Sequence, residues 1–212
     1  MDASDVIAKA RDTLLDPDGV RWTDEQMLSW LGDAMRAAAV LRPSSAAKVS
    51  TVTLTANQAK QALPADGFVL FDVRRNMGAD GATPGPPILE CDLHALRSFD
   101  KTMYSMTGEA TIYNYGYDKD EDPLTFWVSP RAHASTVVQV EIVYGQRFSD
   151  PADTATTLTH GVEYLAPFSE YLCYKAFAVD TDIQDPEKVQ AHMGAFASMI
   201  KALDGAEAAT GG

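Results

Sequence analysis

An α+β fold follows from three features of the 212-residue sequence. Apolar residues recur at helical spacing toward both ends, they alternate with period two through the middle, and Gly, Pro and Asp turns punctuate that middle. Helices on both sides of a β region predict a four-helix bundle built from the N- and C-terminal helix pairs, carrying a β-rich, mostly antiparallel insertion. The predicted divisions are 1–47 for an N-terminal helical hairpin, 48–148 for the insertion, 149–204 for the C-terminal pair and 205–212 for a polar tail.

In the first segment Val6, Ile7, Ala10, Leu14 and Leu15 keep helical spacing, Ser4 is placed to cap the start, and "DPDG" stops the helix. A second helix begins at once. Thr23 followed by Gln26 is a capping box, Leu28, Leu31, Met35 and Ala38 form an apolar stripe, and Pro43 ends it. From Lys48 the period changes to two, with Val52 and Leu54 on one face and Thr51, Thr53 and Thr55 on the other. Further strands are predicted at Phe68–Arg75, Pro87–Cys91, Ala110–Tyr117, Leu124–Ser129 and Thr136–Tyr144, with "DLHALRSF" a short helix among them. In the last strand Val138, Val140, Ile142 and Tyr144 share a face. Helical spacing returns in Leu165, Phe168, Leu172, Ala176 and Val179, then beyond "DIQDP" in Val189, Met193, Phe196, Ile200 and Leu203. The tail, "GAEAATGG", is too small and polar to pack a core on its own.

Thirty acidic against 17 basic residues give a net charge of −13, so the surface as a whole repels nucleic acid rather than gripping its phosphates. Cys91 and Cys173 lie far apart in apolar surroundings, which predicts buried thiols and a reducing compartment rather than a disulfide framework. The start, "MDASDVIAKA", lacks a basic region and apolar run, and no stretch has the length of a membrane span. Synthesis and folding in cytoplasm are therefore expected.

Several motifs resemble sites and fail on spacing. "RRNMGADGATPGPPI", Arg74 to Ile88, is glycine-rich but has no Lys-Ser/Thr, no G-x-G-x-x-G, and a proline pair where a helix would begin. A turn between strands accounts for it better than a phosphate cradle. Arg74 and Arg75 are adjacent in a strand, so at most one should lie against its packed side. "DKDEDP" sets Asp118, Asp120 and Asp122 at calcium-loop spacing, but Pro123 stands where the loop needs glycine and Ser129 where it needs glutamate. His94, His133, His160 and His192 show no zinc spacing, and Ser45 three before Lys48 lacks the partners of a Ser/Lys nucleophile. Tyr113, Tyr115 and Tyr117 alternate along one strand near Trp127, as core residues or as anchors of a protein interface.

Four runs carry a family resemblance: "RWTDEQMLSWLGDAMRAAAVLRP", "LPADGFVLFDVRRNMGADGATPG", "YDKDEDPLTFWVSP" and "EYLCYKAFAVDTD". Together they resemble the head-to-tail adaptor proteins of short-tailed bacteriophages over nearly the whole chain. The Trp-Thr-Asp start of the second helix and the "RRNMGADG" turn are the most specific parts. The sequence departs from the pattern at Gly32, where members commonly carry asparagine, and near Tyr104, often tryptophan. The resemblance implies a structural virion protein without catalytic residues, metal or cofactor. It would form a ring, usually of twelve copies, under the portal vertex, extending the DNA channel and giving the tail nozzle a docking surface. It also implies that Arg74, Arg75 and Asn76 begin a loop that shapes a ring or partner interface. An acidic chain suits a channel in which the duplex slides. The alternatives from other classes are a small hydrolase with a site assembled from distant residues, and a calcium- or carbohydrate-binding β module.

Overall fold

The structure is a computed structural model that describes residues 1–99, 108–179 and 185–210, without the side chains of 99 and 204–210. The position near Tyr104 lies outside the described residues. The fold is α+β, and the chain divides into two compact units, one formed by Met1–Ser45 with Phe148–Gly212, the other by Ala46–Arg147.

In the first unit, helix α1 spans Ala3–Leu14. Asp2, rather than Ser4, stands at its N-cap and donates its amide to Asp5 Oδ2 at 2.8 Å. The start moves because the next two amides, of Ala3 and Ser4, find backbone acceptors at Thr156 and Thr154. Helix α2, Asp24–Leu41, has the expected capping box, with Gln26 N donating to Thr23 Oγ1 and Thr23 N to Gln26 Oε1. Between the helices, the Asp16 carboxylate accepts the amides of Val20, Arg21 and Trp22. The buried Arg11 guanidinium donates to Asp16, to the Trp22 carbonyl and to Asp24. Gly19, at φ +66°, leaves the room that guanidinium needs, since a Cβ there would lie 2.6 Å from Arg11 Nη1.

Helices α4, Leu165–Val179, and α5, Pro186–Thr210, complete this unit, after the short α3, Leu93–Phe99, of the second. Helix α4 packs on α1, α2 and α5. Its sequence is apolar around most of its circumference, which suits a helix enclosed by three others. One core joins Val6, Trp22, Leu31, Phe168, Leu172, Phe196 and Ile200. Leu15, Val179 and Met193, expected on apolar stripes, are exposed instead. Leu15 has left the helix for a left-handed conformation at φ +56°, and Val179 is the last residue of its helix. Helix α5 continues past Gly205 to Thr210, as Ala and Glu are strong helix formers.

The second unit holds two four-stranded sheets. The first, in order β1-β8-β3-β4, is antiparallel throughout and joins Ala47–Thr53, Gln139–Gln146, Gly67–Met77 and Pro84–Pro87. The second, β2-β7-β6-β5, joins Lys60–Ala62, Thr125–Ser129, Asn114–Gly116 and Leu89–Glu90, with only β5–β6 parallel. Val140, Ile142 and Tyr144 of the first sheet share a core with Tyr115, Phe126 and Val128 of the second. Strands β2 and β4 were missed: β2 is three residues long, and β4 reads "PGPP", which signals turn more strongly than strand. The tyrosine strand is shorter than expected. Tyr115 is buried, Tyr113 is 55% exposed, and Tyr117 is half-buried.

Candidate interaction surface

Strand β3 delivers Arg74, Arg75 and Asn76 to the mouth of the glycine-rich turn. Its buried residues are Gly67, Leu70, Val73 and Asn76, every third position, because register shifts against β8 fall between Gly67 and Val69, Leu70 and Asp72, and Val73 and Arg75. Each shift adds a residue that strict alternation would not allow. Arg74 therefore faces solvent, its Nε 3.9 Å from Asp72 Oδ2, and Arg75 lies half-exposed beside β8, its Nε 3.2 Å from Glu141 Oε1.

Asn76 turns inward and is 5% exposed. Its Nδ2 donates to the carbonyls of Ile112 (2.8 Å) and Pro86 (3.1 Å), and its Oδ1 accepts the Ile112 amide (2.8 Å). One side chain thus ties β3 to the β4 strand and to the segment before β6, giving the prolines of β4 a partner that does not need their missing N–H groups. The sequence signal for this residue is slight: only a polar residue among β formers marks it.

The turn itself is closed by its own residues. Asp80 Oδ1 accepts the amides of Ala82 and Thr83 at 3.0 Å, and Thr83 Oγ1 donates to Asp80 Oδ2 at 2.7 Å. The Thr83 hydroxyl, with the amides of Thr83 and Ala82, holds the Asp80 carboxyl down to about 2. Gly78 N bonds the Thr83 carbonyl, and Gly81, at φ +70°, presents its carbonyl to Thr51 Oγ1. A bound phosphate would need those amides, and an internal carboxylate already occupies two of them. The acidic hairpin is built alike: Asp118 Oδ1 accepts the amides of Asp120 and Glu121, while Asp122 pairs with Lys60 at 2.6 Å. Among the described residues no three His, Cys, Asp or Glu side chains converge as metal ligands would.

The other marked residues have local partners. Lys48 pairs with Asp66 at 2.9 Å, and that carboxylate raises the ammonium above its usual range, the opposite of what a catalytic base requires. His133 Nδ1 accepts the amides of Ser135 and Thr136, and His192 Nδ1 lies 2.6 Å from Glu170. His160 is buried among Phe148, Tyr164 and Phe168, with ring centroids 4.7 to 5.0 Å apart. Gly32 also finds a reason: a Cβ there would lie 2.0 Å from Asp150 Oδ1, the carboxylate that pairs with Arg36 at 2.7 Å.

A family model described as SU10 adaptor protein matches residues 1–212. The chain belongs to the SU10 adaptor protein family. No curated protein matches it. Membership agrees with the resemblance to phage head-to-tail adaptors and implies a structural, non-enzymatic virion component. The adaptor's most specific sequence runs now have physical content. In "RWTDEQ", Trp22 enters the core, Thr23 caps α2 and Asp24 receives Arg11, and in "RRNMGADG", Asn76 and Asp80 brace the turn. Arg11 and Asp16 escaped the sequence reading, though "DPDG" so close behind an arginine was the available signal. No helix among the described residues is long and apolar enough to cross a membrane.

Proposed function

We propose that this chain is a head-to-tail adaptor that assembles into a ring, of twelve copies as the family resemblance implies, between the portal and the tail nozzle around the DNA channel. In this reading the helical unit is a four-helix bundle and the sheet unit is its insertion. The observation that carries the proposal is the family match along the entire chain. The charge distribution supports it. The helical unit holds 8 Lys and Arg against 18 Asp and Glu, and the sheet unit 9 against 12. Such a surface repels phosphates and lets a duplex pass without being held.

Arg74 and Arg75 are the interface residues on the sheet unit, and Asn76 supports them from behind. Both arginines stand on a turn whose own hydrogen bonds are satisfied internally, so the turn presents a fixed edge to a partner. Sedimentation of the full chain mixed with the portal and nozzle proteins tests the reading. A stable complex with either one is the expected result. Failure to bind both would remove the adaptor role.

A further inference from the structure

Each sheet of the second unit ends in two edge strands, and three of these four edges resist further pairing. Strand β4 is three prolines and a glycine, β2 is three residues long and β5 two. Strand β1 is the exception. Its seven residues, "AKVSTVT", include no proline or glycine, valine and threonine fill most positions, and none of the seven is buried. A strand of this kind is an open template for another strand.

Pairing with β8 fixes which backbone groups of β1 are spare. The register runs without a shift from Ala47–Gly145 to Thr53–Gln139, and one step beyond it Leu54 N donates to the Val138 carbonyl. In an antiparallel ladder, successive residues turn both backbone groups toward the partner and then both away. Leu54, Val52, Ser50 and Lys48 therefore face β8, while Thr53, Thr51, Val49 and Ala47 point their N–H and C=O groups outward. No backbone hydrogen bond among the described residues reaches that outward row. The chain is also free of carboxylates from Ala34 to Ala65, in a protein of net charge −13. Of the acidic side chains beside the strand, Asp66 lies 2.9 Å from Lys48, and Glu141, opposite Thr51, lies 3.2 Å from Arg75.

We infer that β1 pairs with β1 of a second copy, antiparallel about a two-fold axis at Ser50. Alternating donors and acceptors along an edge are matched by extended backbone, and this edge matches itself. In the two-fold register Ala47 faces Thr53, Val49 faces Thr51 and Lys48 faces Val52. Every outward group then finds a partner, β-branched side chains meet beside the half-exposed Val49, and no two like charges stand opposite. Two acidic chains can therefore meet along this strand without bringing their carboxylates together. The inference goes beyond the ring proposed above and concerns the chain before assembly. A two-fold contact closes at two copies, whereas a ring repeats a head-to-tail contact, so this pair parts when the ring forms.

The test uses the full-length chain in sedimentation. The parent should show a monomer–dimer equilibrium, and Val49→Pro, which removes an N–H that β8 does not use, should weaken it at least tenfold while melting near the parent. Val49→Lys, which sets like charges on both sides of the axis, should weaken it as much and keeps the test open if proline disturbs the fold. Register is read by disulfides in a Cys91→Ser background, where Cys173 is buried and its thiol is pushed up to about 12. On mild oxidation Ser50→Cys should give a covalent dimer and nothing larger, and Val52→Cys should give none. A parent that stays monomeric at every concentration overturns the inference. So does a dimer that Val49→Lys leaves intact, or a Val52→Cys that couples as readily as Ser50→Cys. Loss of portal or nozzle binding in Val49→Lys would assign the edge to that partner instead. The adaptor reading is tested by the parent's own binding to portal and nozzle proteins, so a monomeric parent that binds them fails here alone.

Discussion

His160 is a buried imidazole whose ring nitrogens meet no hydrogen-bond partner among the described residues. Burial depresses its pKa from about 6.5 to about 4, with Glu163 acting weakly the other way. Between those values the unfolded chain binds a proton that the folded chain refuses. The stability linked to His160 is therefore complete above about pH 6.5 and declines as pH falls toward 4, by on the order of 3 kcal/mol. Asp16 acts in a separate window. Burial raises its pKa, but three amides and Arg11 more than offset this, so its contribution is lost only below the ordinary aspartate range. Urea unfolding of His160→Phe should show a flatter stability profile from pH 6.5 to 4.5 than the parent. Asn76 offers a second check. Truncation to alanine leaves the amide and carbonyl of buried Ile112 without partners and should cost about 3 kcal/mol in denaturant unfolding. Neither environment was legible in the sequence. The rings around His160 come from residues 148, 164 and 168, and the partners of Asn76 from residues 86 and 112, so only the folded chain brings them together.

At the scale of elements, periodicity served where an element is regular. The last strand is the clearest case: Val138, Val140, Ile142 and Tyr144 alternate in sequence and all are buried. The facing strand β3 broke the same rule, because its register shifts turn a period of two into a burial period of three. No local signal marks those shifts, which arise from pairing with β8. In the helices most stripe residues are buried as read, and the misses are Leu15 and Val179 at helix ends and Met193 within α5. Phe168, Leu172, Phe196 and Ile200 are fully buried, while Leu15 and Val179 at the termini are exposed. Phe196 packs its ring 5.0 Å from that of Tyr171 within the helical core. Changing Phe196 to alanine should cost about 3–5 kcal/mol, read as a lower urea midpoint at unchanged slope. A loss below about 1 kcal/mol would mean that α5 does not bury this face.

For the whole molecule, the α+β class was legible from the order of periodic segments, and the family from a few runs of residues. The two compact units follow from chain order, since helices at either end can build a core without the residues between them. Oligomeric contacts are not legible in this way, because they depend on surface residues that folding constrains little. For Arg74 and Arg75, assembly and stability should separate. Their ion pairs are partly exposed, worth about 0–1 kcal/mol each, so Arg74→Ala/Arg75→Ala should melt close to the parent. If the turn forms an interface, the same change leaves charges on the partner unmatched and should reduce binding to portal or nozzle in sedimentation. Normal assembly of the double variant would make both arginines solvent residues only. The central claim, a ring around the DNA path, is tested most directly by imaging phage particles that carry an affinity label on this chain. The account predicts labelled copies in a ring coaxial with the channel between portal and nozzle, and label found elsewhere on the particle, or absent from it, would contradict it.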